Sequence, residues 1–452
     1  MDSNNKSIKG KKIGVIGLGR TGIALLQYLH AQGAVVYAFD EQPKEKLADA
    51  IKSLEGIPVT YEIGAAVPEV MYEAKTWIVS PGVPCYKNYL VDARKKDVRT
   101  MSEIEFCLPY LEAPIVAITG SNGKSTTTEL VGHILKGCGK KVFVGGNLGT
   151  PLVTAIGQSY DYIVLEISTF QMELTDSLKP KVACVLNISP NHLDRHGNMT
   201  TYQSLKEKLL FHMRKEGVAV LNDDDDICRE IRARSQTNVK MVSGKNHVAA
   251  HVRVENGEIL LGEGRTVSLK GFPLLGQHNI DNAVAAVTIC SILDCPKESI
   301  EKYLKTFQGL PHRMQVLDEV GGVLYVNDSK STTPEAAVFA LSSVDRPIVY
   351  IAGGRSKNFS YREIGKAAKR NVKKAIFFGE AAEMMARDFA GVEVEKTATL
   401  EEAVNLALPL LKKGDALIFS PANSSFDQYA NFEKRGEHFT SLVGNARKSP
   451  KK

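Results

Sequence analysis

Residues 115–128 read IVAITGSNGKSTTT. An apolar run closes on Thr119-Gly120, Ser121-Asn122-Gly123-Lys124-Ser125 follows at once, and the chain beyond reads as a helix over about 126–135. Strand, glycine-bearing loop and helix in that order make a phosphate-binding loop. Glycines let consecutive backbone N–H groups face one anion, and the helix N-terminus adds unpaired donors and the positive end of its dipole. Lys124 is placed to reach the outer phosphates of a nucleoside triphosphate, and the Ser125 hydroxyl to reach a phosphate-bound Mg²⁺. The usual spacing has a glycine five positions before Gly123, and here that position is Ile118. A bare strand-to-helix turn is the plainer reading, but an apolar run leading directly into G-K-S-T favours nucleotide binding.

Upstream, KIGVIGLGRTG from Lys12 precedes an apolar-periodic helix to about Gln32, and AVVYAFD follows. Gly17, Gly19 and Gly22 satisfy G-x-G-x-x-G between strand and helix, and Asp40 closes the next strand where a ribose-binding acid is expected. Gly17 permits the tight turn, Gly19 the close approach of a diphosphate, and Gly22 the packing of helix on strand. Residues 76–80 read as a further strand, ending in Pro81-Gly82-Val83 at the same sheet edge. Taken alone, this segment points to NAD or FAD.

Downstream, Gly145-Gly146-Asn147 ends one strand, and a buried strand over 160–167 delivers Glu166, followed by Ser168, Phe170 and Gln171. A carboxylate ending an apolar strand beside a phosphate loop suits Mg²⁺, which prefers hard oxygen donors. The strand over 182–187 ends in Ile188-Ser189-Pro190-Asn191-His192-Leu193-Asp194-Arg195-His196, where His, Asp and Arg cluster in one loop as at a working site. Thr200-x-x-Gln203 reads as a capping box opening a helix through Met213, with Tyr202 and Lys206 one turn apart on one face. By itself Lys206 is one more solvated lysine, like Lys208.

The run Asp223–Asp226 reads as a solvated turn. Residues 248–271 alternate polar and apolar around Asn256-Gly257, a hairpin signal. His278-Asn279-x-x-Asn282 opens a helix to about Leu293, with both asparagines on one face. The last third carries Leu310-Pro311-His312-Arg313, Asp328-Ser329-Lys330-Ser331-Thr332, Gly353-Gly354-Arg355-Ser356-Lys357 and Ser420-Pro421-Ala422-Asn423-Ser424-Ser425-Phe426-Asp427, each at a strand end or between elements. Alternating strands and helices imply a third parallel sheet.

At 452 residues the chain is too long for one core. The expectation is α/β throughout in three domains: Rossmann-like over 1–102, a phosphate-loop ATPase-like parallel or mixed sheet over 103–309, and Rossmann-like again over 310–452. A net charge of +6 with no Arg-rich aromatic face gives nucleic-acid binding no support. Seven scattered cysteines without a CxxC pair read as reduced thiols of a cytoplasmic protein. No signal peptide or membrane span is read.

A dinucleotide-type crevice and a phosphate loop in one chain do not describe a plain dehydrogenase. Together, ITGSNGKSTTT, GGN, LEISTFQ, NISPNHLDRH with Tyr202 and Lys206, GQHNIDNAVAA, LPHRM, NDSKSTTP and SPANSSFDQY resemble the Mur ligases, ATP-dependent peptide-bond-forming enzymes of bacterial cell-wall precursor synthesis. The resemblance covers nearly the whole chain. GLGRTG and SPANSSFD look most like the member of that family that adds D-glutamate to UDP-N-acetylmuramoyl-L-alanine. It implies that Gly17, Gly19, Arg20, Thr21, Gly22, Asp40, Gly82, Asn147 and Ser168 hold the UDP-linked substrate. For ATP it implies Gly120, Ser121, Asn122, Gly123, Lys124, Ser125, Thr126, Asn279, Asn282, Arg313, Asp328 and Lys330, and for D-glutamate Thr332, Lys357, Ser425 and Phe426. Two Mg²⁺ sites are implied, drawing on Ser125, Glu166, His192 and a Lys206 carbamylated by CO₂, and Lys124, Glu166, His192 and Lys206 carry the catalysis. A monomer with small-molecule partners is expected. Asn191 stands where relatives usually carry an acid, and Asn423 where a cysteine is common. Other readings remain: a sister ligase for another amino acid, a folylpolyglutamate-type ligase, a nicotinamide dehydrogenase, or a nucleotide-binding protein without turnover.

Overall fold

The computed structural model describes residues 7–64, 67, 69–147, 149–356 and 359–448. It divides into two compact units, one of residues 1–270 with 281–304 and one of 271–280 with 305–452.

The first unit contains two sheets. The first sheet consists of β1 (Lys12–Ile16), β2 (Val35–Asp40), β3 (Val59–Ile63), β4 (Thr76–Val79) and β5 (Arg99–Ser102). Their order is β3-β2-β1-β4-β5, every pair parallel. The order reverses between β1 and β4, the place where an open α/β sheet leaves a crevice beyond its carboxyl ends. A helix Arg20–Ala31 turns the chain back from β1 to β2, burying Leu25, Leu26 and Leu29 on its sheet side.

The second sheet holds β6 (Ile115–Thr119), β7 (Val142–Gly146), β8 (Tyr162–Glu166), β9 (Val182–Val185), β10 (Val218–Asn222), β11 (Asn238–Ser243), β12 (Val252–Glu255), β13 (Glu258–Gly262) and β14 (Arg265–Ser268). The order is β14-β13-β12-β11-β10-β9-β6-β8-β7. Strands from β7 to β12 pair parallel, and β13 and β14 close the far edge antiparallel. Every residue of β6 is buried, as expected for a strand covered on both faces. Because β6 lies between β8 and β9, the loops that follow all three emerge side by side at one edge. The Asn256-Gly257 hairpin forms as the sequence predicts, with Glu255 opposite Glu258 and φ of 51° and 78° at the two turn residues, the left-handed pair of a type I′ turn.

The second unit is built on β15 (Gln315–Val320), β16 (Val323–Asn327), β17 (Ile348–Gly353), β18 (Val372–Phe378), β19 (Val394–Thr397) and β20 (Ala416–Ala422), ordered β15-β16-β20-β17-β18-β19. All pairs are parallel except β15 with β16. The α/β class and three-sheet plan read from the sequence are therefore what the chain forms. Among the described residues no helix is long and apolar enough to cross a membrane.

Candidate active site

The phosphate loop leaves β6 and enters the helix Lys124–Gly137 through Gly123, at φ 83°. That backbone is left-handed, and a Cβ at this position would lie 2.2 Å from Asn282 Oδ1, so glycine is required twice over. Asn282 Oδ1 also accepts the Thr127 hydroxyl at 3.2 Å, which ties the start of this helix to the helix Gln277–Ile292. Across the loop, Ser121 N–H donates to Asn187 O at 2.9 Å and Asn122 N–H to Asn187 Oδ1 at 2.8 Å. Ser121 Oγ donates to Ser189 O and meets Tyr202 Oη, both at 2.9 Å. The loops after β6 and β9 are thus stitched to each other before any ligand arrives.

Two lysines converge on the loop. Lys124 Nζ donates to Gly120 O at 2.8 Å and Ser121 O at 2.9 Å, and Lys206 Nζ donates to the same Gly120 O at 2.7 Å. Lys206 and Tyr202 are both buried. The solvated-lysine reading of Lys206 is overturned, because packing turns this face of the helix Met199–Phe211 onto the phosphate loop. Burial first, and then the Lys124 ammonium, pull Lys206 down to about 6, leaving mostly neutral amine at neutral pH. The capping box is corrected too. Asn198 caps this helix, accepting Thr201 N–H at 2.9 Å.

Glu166 ends β8 as a buried side chain. Asn147 Nδ2 donates to its Oε1 at 2.6 Å, while its Oε2 is buried with no hydrogen-bond partner. An uncompensated anionic oxygen beside a phosphate loop fits Mg²⁺, which takes one or two protein carboxylates and completes its shell with phosphate and water oxygens. Ser125, half-buried in the first turn of the phosphate-loop helix, adds a hydroxyl. His192, at φ 52°, packs its ring 4.8 Å from that of Phe170. Among the described residues no three His, Cys, Asp or Glu side chains gather as a metal cage.

The acidic run is likewise no solvated turn. Asp225 accepts Cys228 N–H at 2.9 Å and Ile188 N–H at 3.1 Å, Asp224 accepts Ser243 Oγ and Gly244 N–H, and Asp223 pairs with His247. Asp225 thereby fixes the start of the loop that carries His192.

A cavity of about 570 Å³ opens at the carboxyl edge of the first sheet. Gly17, Gly19, Arg20, Thr21, Asp40 and Gly82 line it, together with Asn147 just after β7 and Gln171 from the short helix Thr169–Met172. Nothing lies within 4 Å of where a Cβ at Gly19 would stand, whereas one at Gly22 would lie 2.0 Å from Gly17 O. Gly19 therefore leaves room for a ligand, and Gly22 serves helix packing and does not line the cavity. Asp40 accepts Leu18 N–H at 2.7 Å and Gln42 N–H at 2.8 Å, so it shapes the rim of the crevice as well as facing it. Ser168 is outside the lining and caps the short helix Thr169–Met172 in a reciprocal box with Gln171.

The sequence reading assigned no role to Arg195. Its Nε and Nη2 donate to Glu173 at 2.9 and 2.6 Å, both side chains being buried. The same guanidinium donates to the carbonyls of Pro81, Gly82 and Val83 at 3.2, 3.3 and 3.1 Å. Only the charge cluster in 187–196 hinted at it, since its carbonyl partners lie over 110 positions away.

In the second unit Asn279 Nδ2 donates to Leu275 O at 2.7 Å. Asp328 accepts Ser420 Oγ at 2.7 Å and Met314 N–H at 3.0 Å, and burial pushes it up to about 6. Lys330 N–H donates to His312 O at 2.9 Å and its ammonium lies 5.8 Å from the Phe432 ring. Burial first, and then the charge of Arg313, pull His278 down to about 4. Thr332 precedes the helix Pro334–Ser342, Ser425 is buried after β20, and Phe426 is exposed. Lys357 lies outside the described residues.

Three family models cover this chain: "Mur ligase MurD-like, N-terminal domain" over residues 11–102, "Mur ligase middle domain" over 118–290 and "Mur ligase, glutamate ligase domain" over 312–423. The UDP-N-acetylmuramoylalanine–D-glutamate ligase of Thermoanaerobacter sp. (strain X514) is 36% identical over 452 residues, spanning 98% of this chain and 100% of that one. The chain belongs to the Mur ligase family. The enzyme of the same name from Geobacter sp. (strain M21) is 37% identical over 447 residues, 98% of this chain and 99% of its own. Among solved structures, the UDP-N-acetylmuramate-alanine ligase of Thermotoga maritima matches this Mur ligase with a TM-score of 0.61 at 19% identity, covering 96% and 99% of the two chains. The MurF ligase of that organism, solved with ADP, matches with a TM-score of 0.60 at 19% identity over 98% of each. These two matches speak to the fold.

Proposed function

We propose that this Mur ligase joins D-glutamate to the free carboxylate of UDP-N-acetylmuramoyl-L-alanine, converting ATP to ADP and phosphate. One observation carries the reading beyond fold. The crevice of the first sheet is a cavity lined in part by Asn147, and Asn147 donates to Glu166 beside the phosphate loop. A nucleotide-linked substrate held by its diphosphate on the Gly17–Gly22 turn is thereby aimed at the triphosphate site, which a nicotinamide dehydrogenase would not need. The activity for which relatives matching end to end are named agrees with it.

In this reading the substrate carboxylate attacks the γ-phosphate of ATP, giving an acyl phosphate and ADP. The amine of D-glutamate then displaces phosphate and the amide forms. Little covalent work falls to the protein, which aligns the groups and spreads charge. The backbone donors of residues 120–126 that Asn187 does not take up, together with the Lys124 ammonium, hold the phosphates. When bound, Mg²⁺ neutralises developing phosphate charge, with Glu166, Ser125 and His192 as its holders. Lys206, kept mostly neutral by burial, is in the form that adds CO₂ with loss of one proton, and the resulting carbamate offers anionic oxygen where an ammonium would repel the metal. Asn279, Asn282, Arg313, Asp328 and Lys330 serve the nucleotide, and Thr332, Lys357, Ser425 and Phe426 serve D-glutamate.

The test is phosphate release from ATP with UDP-N-acetylmuramoyl-L-alanine, screened against D-glutamate, L-glutamate and lysine. Turnover with D-glutamate alone is expected. Turnover with lysine alone would move the chain to a sister ligase, and none with any amino acid would sink the reading.

A further inference from the structure

Asn423 directly follows β20, and its side chain is fully buried. A buried amide is costly unless its donors and its acceptor are used, and here both ends are. Nδ2 donates to Pro421 O at 3.2 Å and lies 3.4 Å from Met385 Sδ, while Oδ1 accepts the Tyr361 hydroxyl at 2.6 Å. No other described group donates to that oxygen. The bond to Pro421 spans Ala422, which holds φ 60° without being glycine. That left-handed residue turns the chain out of β20, and the side chain that follows it secures the turn.

Tyr361, also fully buried, ends the loop that leaves β17 and precedes the helix Arg362–Ala368. Its N–H donates to Asp388 Oδ2 at 2.8 Å, so its backbone is fixed independently of its hydroxyl. The same two loops meet a second time nearer their starts. Arg355 N–H donates to Ser424 O at 2.9 Å, and a Cβ at Gly354 would stand 2.3 Å from that oxygen. The loop after β17 is therefore tied to the loop after β20 at residue 355 and again at residue 361, and Lys357 falls between the two ties in sequence. Ser425 follows the tied pair Asn423-Ser424 directly. An apolar pair of the same shape would serve this core without loss of stability. A buried polar pair here fixes the register of two loops.

We propose that Tyr361 and Asn423 are positioning residues for the amino-acid substrate, their bond setting the spacing of the two loops that present Lys357 and Ser425 to it. This rests on the D-glutamate reading given above. Neither side chain touches the substrate, because both are sealed from solvent. The bond acts by keeping one arrangement of the loops ready. Without it that arrangement is a smaller share of the molecules, and apparent affinity for the amino acid falls by the same share. ATP and the UDP-linked substrate are held by other loops and lose nothing. A cysteine at 423, the residue common among relatives, is only a weak donor and a weak acceptor. It would neither brace the turn at Ala422 nor hold the Tyr361 hydroxyl, so the tie belongs to this chain's own pair.

The test is phosphate release by the full-length chain at saturating ATP and UDP-N-acetylmuramoyl-L-alanine, with D-glutamate varied. Tyr361→Phe removes the hydroxyl alone and leaves Asn423 Oδ1 buried without a donor. The KM for D-glutamate should rise roughly 5- to 100-fold, with kcat and the KM values for ATP and the UDP-linked substrate near those of the parent. Asn423→Cys should shift the same constant in the same direction. The double variant should cost less than the product of the two single effects, because the unpaired amide oxygen is then gone. Urea unfolding of each variant separates a lost fold from a lost affinity. An unchanged KM for D-glutamate in Tyr361→Phe, whatever its urea midpoint, would overturn the proposal, as would a rise shared equally by ATP or strictly multiplicative single effects. If the parent turns over with another amino acid and not with D-glutamate, the substrate reading falls, and the same variants measured with that amino acid decide the tie. No turnover of the parent with any amino acid would overturn both.

Discussion

Replacing Arg195 with alanine tests how the first two sheets cooperate around the substrate. The guanidinium bridges both Glu173 oxygens and three consecutive carbonyls, Pro81 to Val83, and those three residues line the 570 Å³ cavity. It also lies 4.5 Å from the centre of the Phe170 ring. Removing it leaves the Glu173 carboxylate buried, with Cys85 N–H at 3.4 Å as a long remaining backbone donor. Breaking a buried pair from one side costs about 3–5 kcal/mol, and urea unfolding should register a loss of that order. Freed from its anchor, the loop 81–83 should hold the UDP-linked substrate less well. Loss of one charge-assisted contact, at ~1.5–3 kcal/mol, corresponds to a KM for that substrate raised roughly 10- to 100-fold, with the KM for ATP little changed. Arg195→Lys should not restore it, since an ammonium cannot bridge two carboxylate oxygens and a row of carbonyls. Pairing Arg195→Met with Glu173→Gln should cost less than Arg195→Ala alone, because no charge is then left buried. A single variant within 1 kcal/mol of the parent and with an unchanged KM would refute the anchoring argument.

Lys124→Ala should abolish useful turnover while leaving the unfolding midpoint near that of the parent; near-normal turnover would remove the phosphate-loop assignment. Lys206→Ala should be almost inactive and partly restored by added short carboxylates that supply the missing anionic oxygen, and wild-type turnover there would dismiss the carbamate. Burial pushes Glu103 from 4.5 up to about 7, Oε1 accepting Val153 N–H at 2.9 Å and Oε2 having no partner. The folded state then holds this proton more tightly than the unfolded chain, so its stability is fully present below pH 4.5 and is lost as pH rises through about 7. Glu103→Gln keeps the acceptor without the charge and should flatten the fall in urea midpoint between about pH 5 and 8, by on the order of 3 kcal/mol; an identical slope in the variant would contradict the burial argument.

What could be read in the chain and what could not divide along sequence distance. The strand, loop and helix around Gly123, the glycines at 17, 19 and 22, and the Asn256-Gly257 hairpin are local grammar: each states its own φ, its own periodicity and its own neighbours. Even the departure at Ile118 needed nothing remote, since Ile118 is simply a buried residue of β6. Lys206, Asp225 and Arg195 are different. Each is an ordinary charged residue until the sheet order sets β9 beside β6, or the first sheet beside the second, and their long-range backbone partners lie 86, 37 and more than 110 positions away. A resemblance could mark Lys206 because a family motif carries it, but no motif marked Asp225, and Arg195 stands in NISPNHLDRH without a role of its own; the work of both is to hold loops that others use. Ser168 shows the converse, a motif residue whose hydroxyl is engaged by its own helix cap. Local pattern thus locates the chemistry, whereas the forces that hold it in place arise from which strands become neighbours. Substitutions at the long-range anchors should therefore show first in substrate affinity and unfolding, and those at the motif residues in turnover.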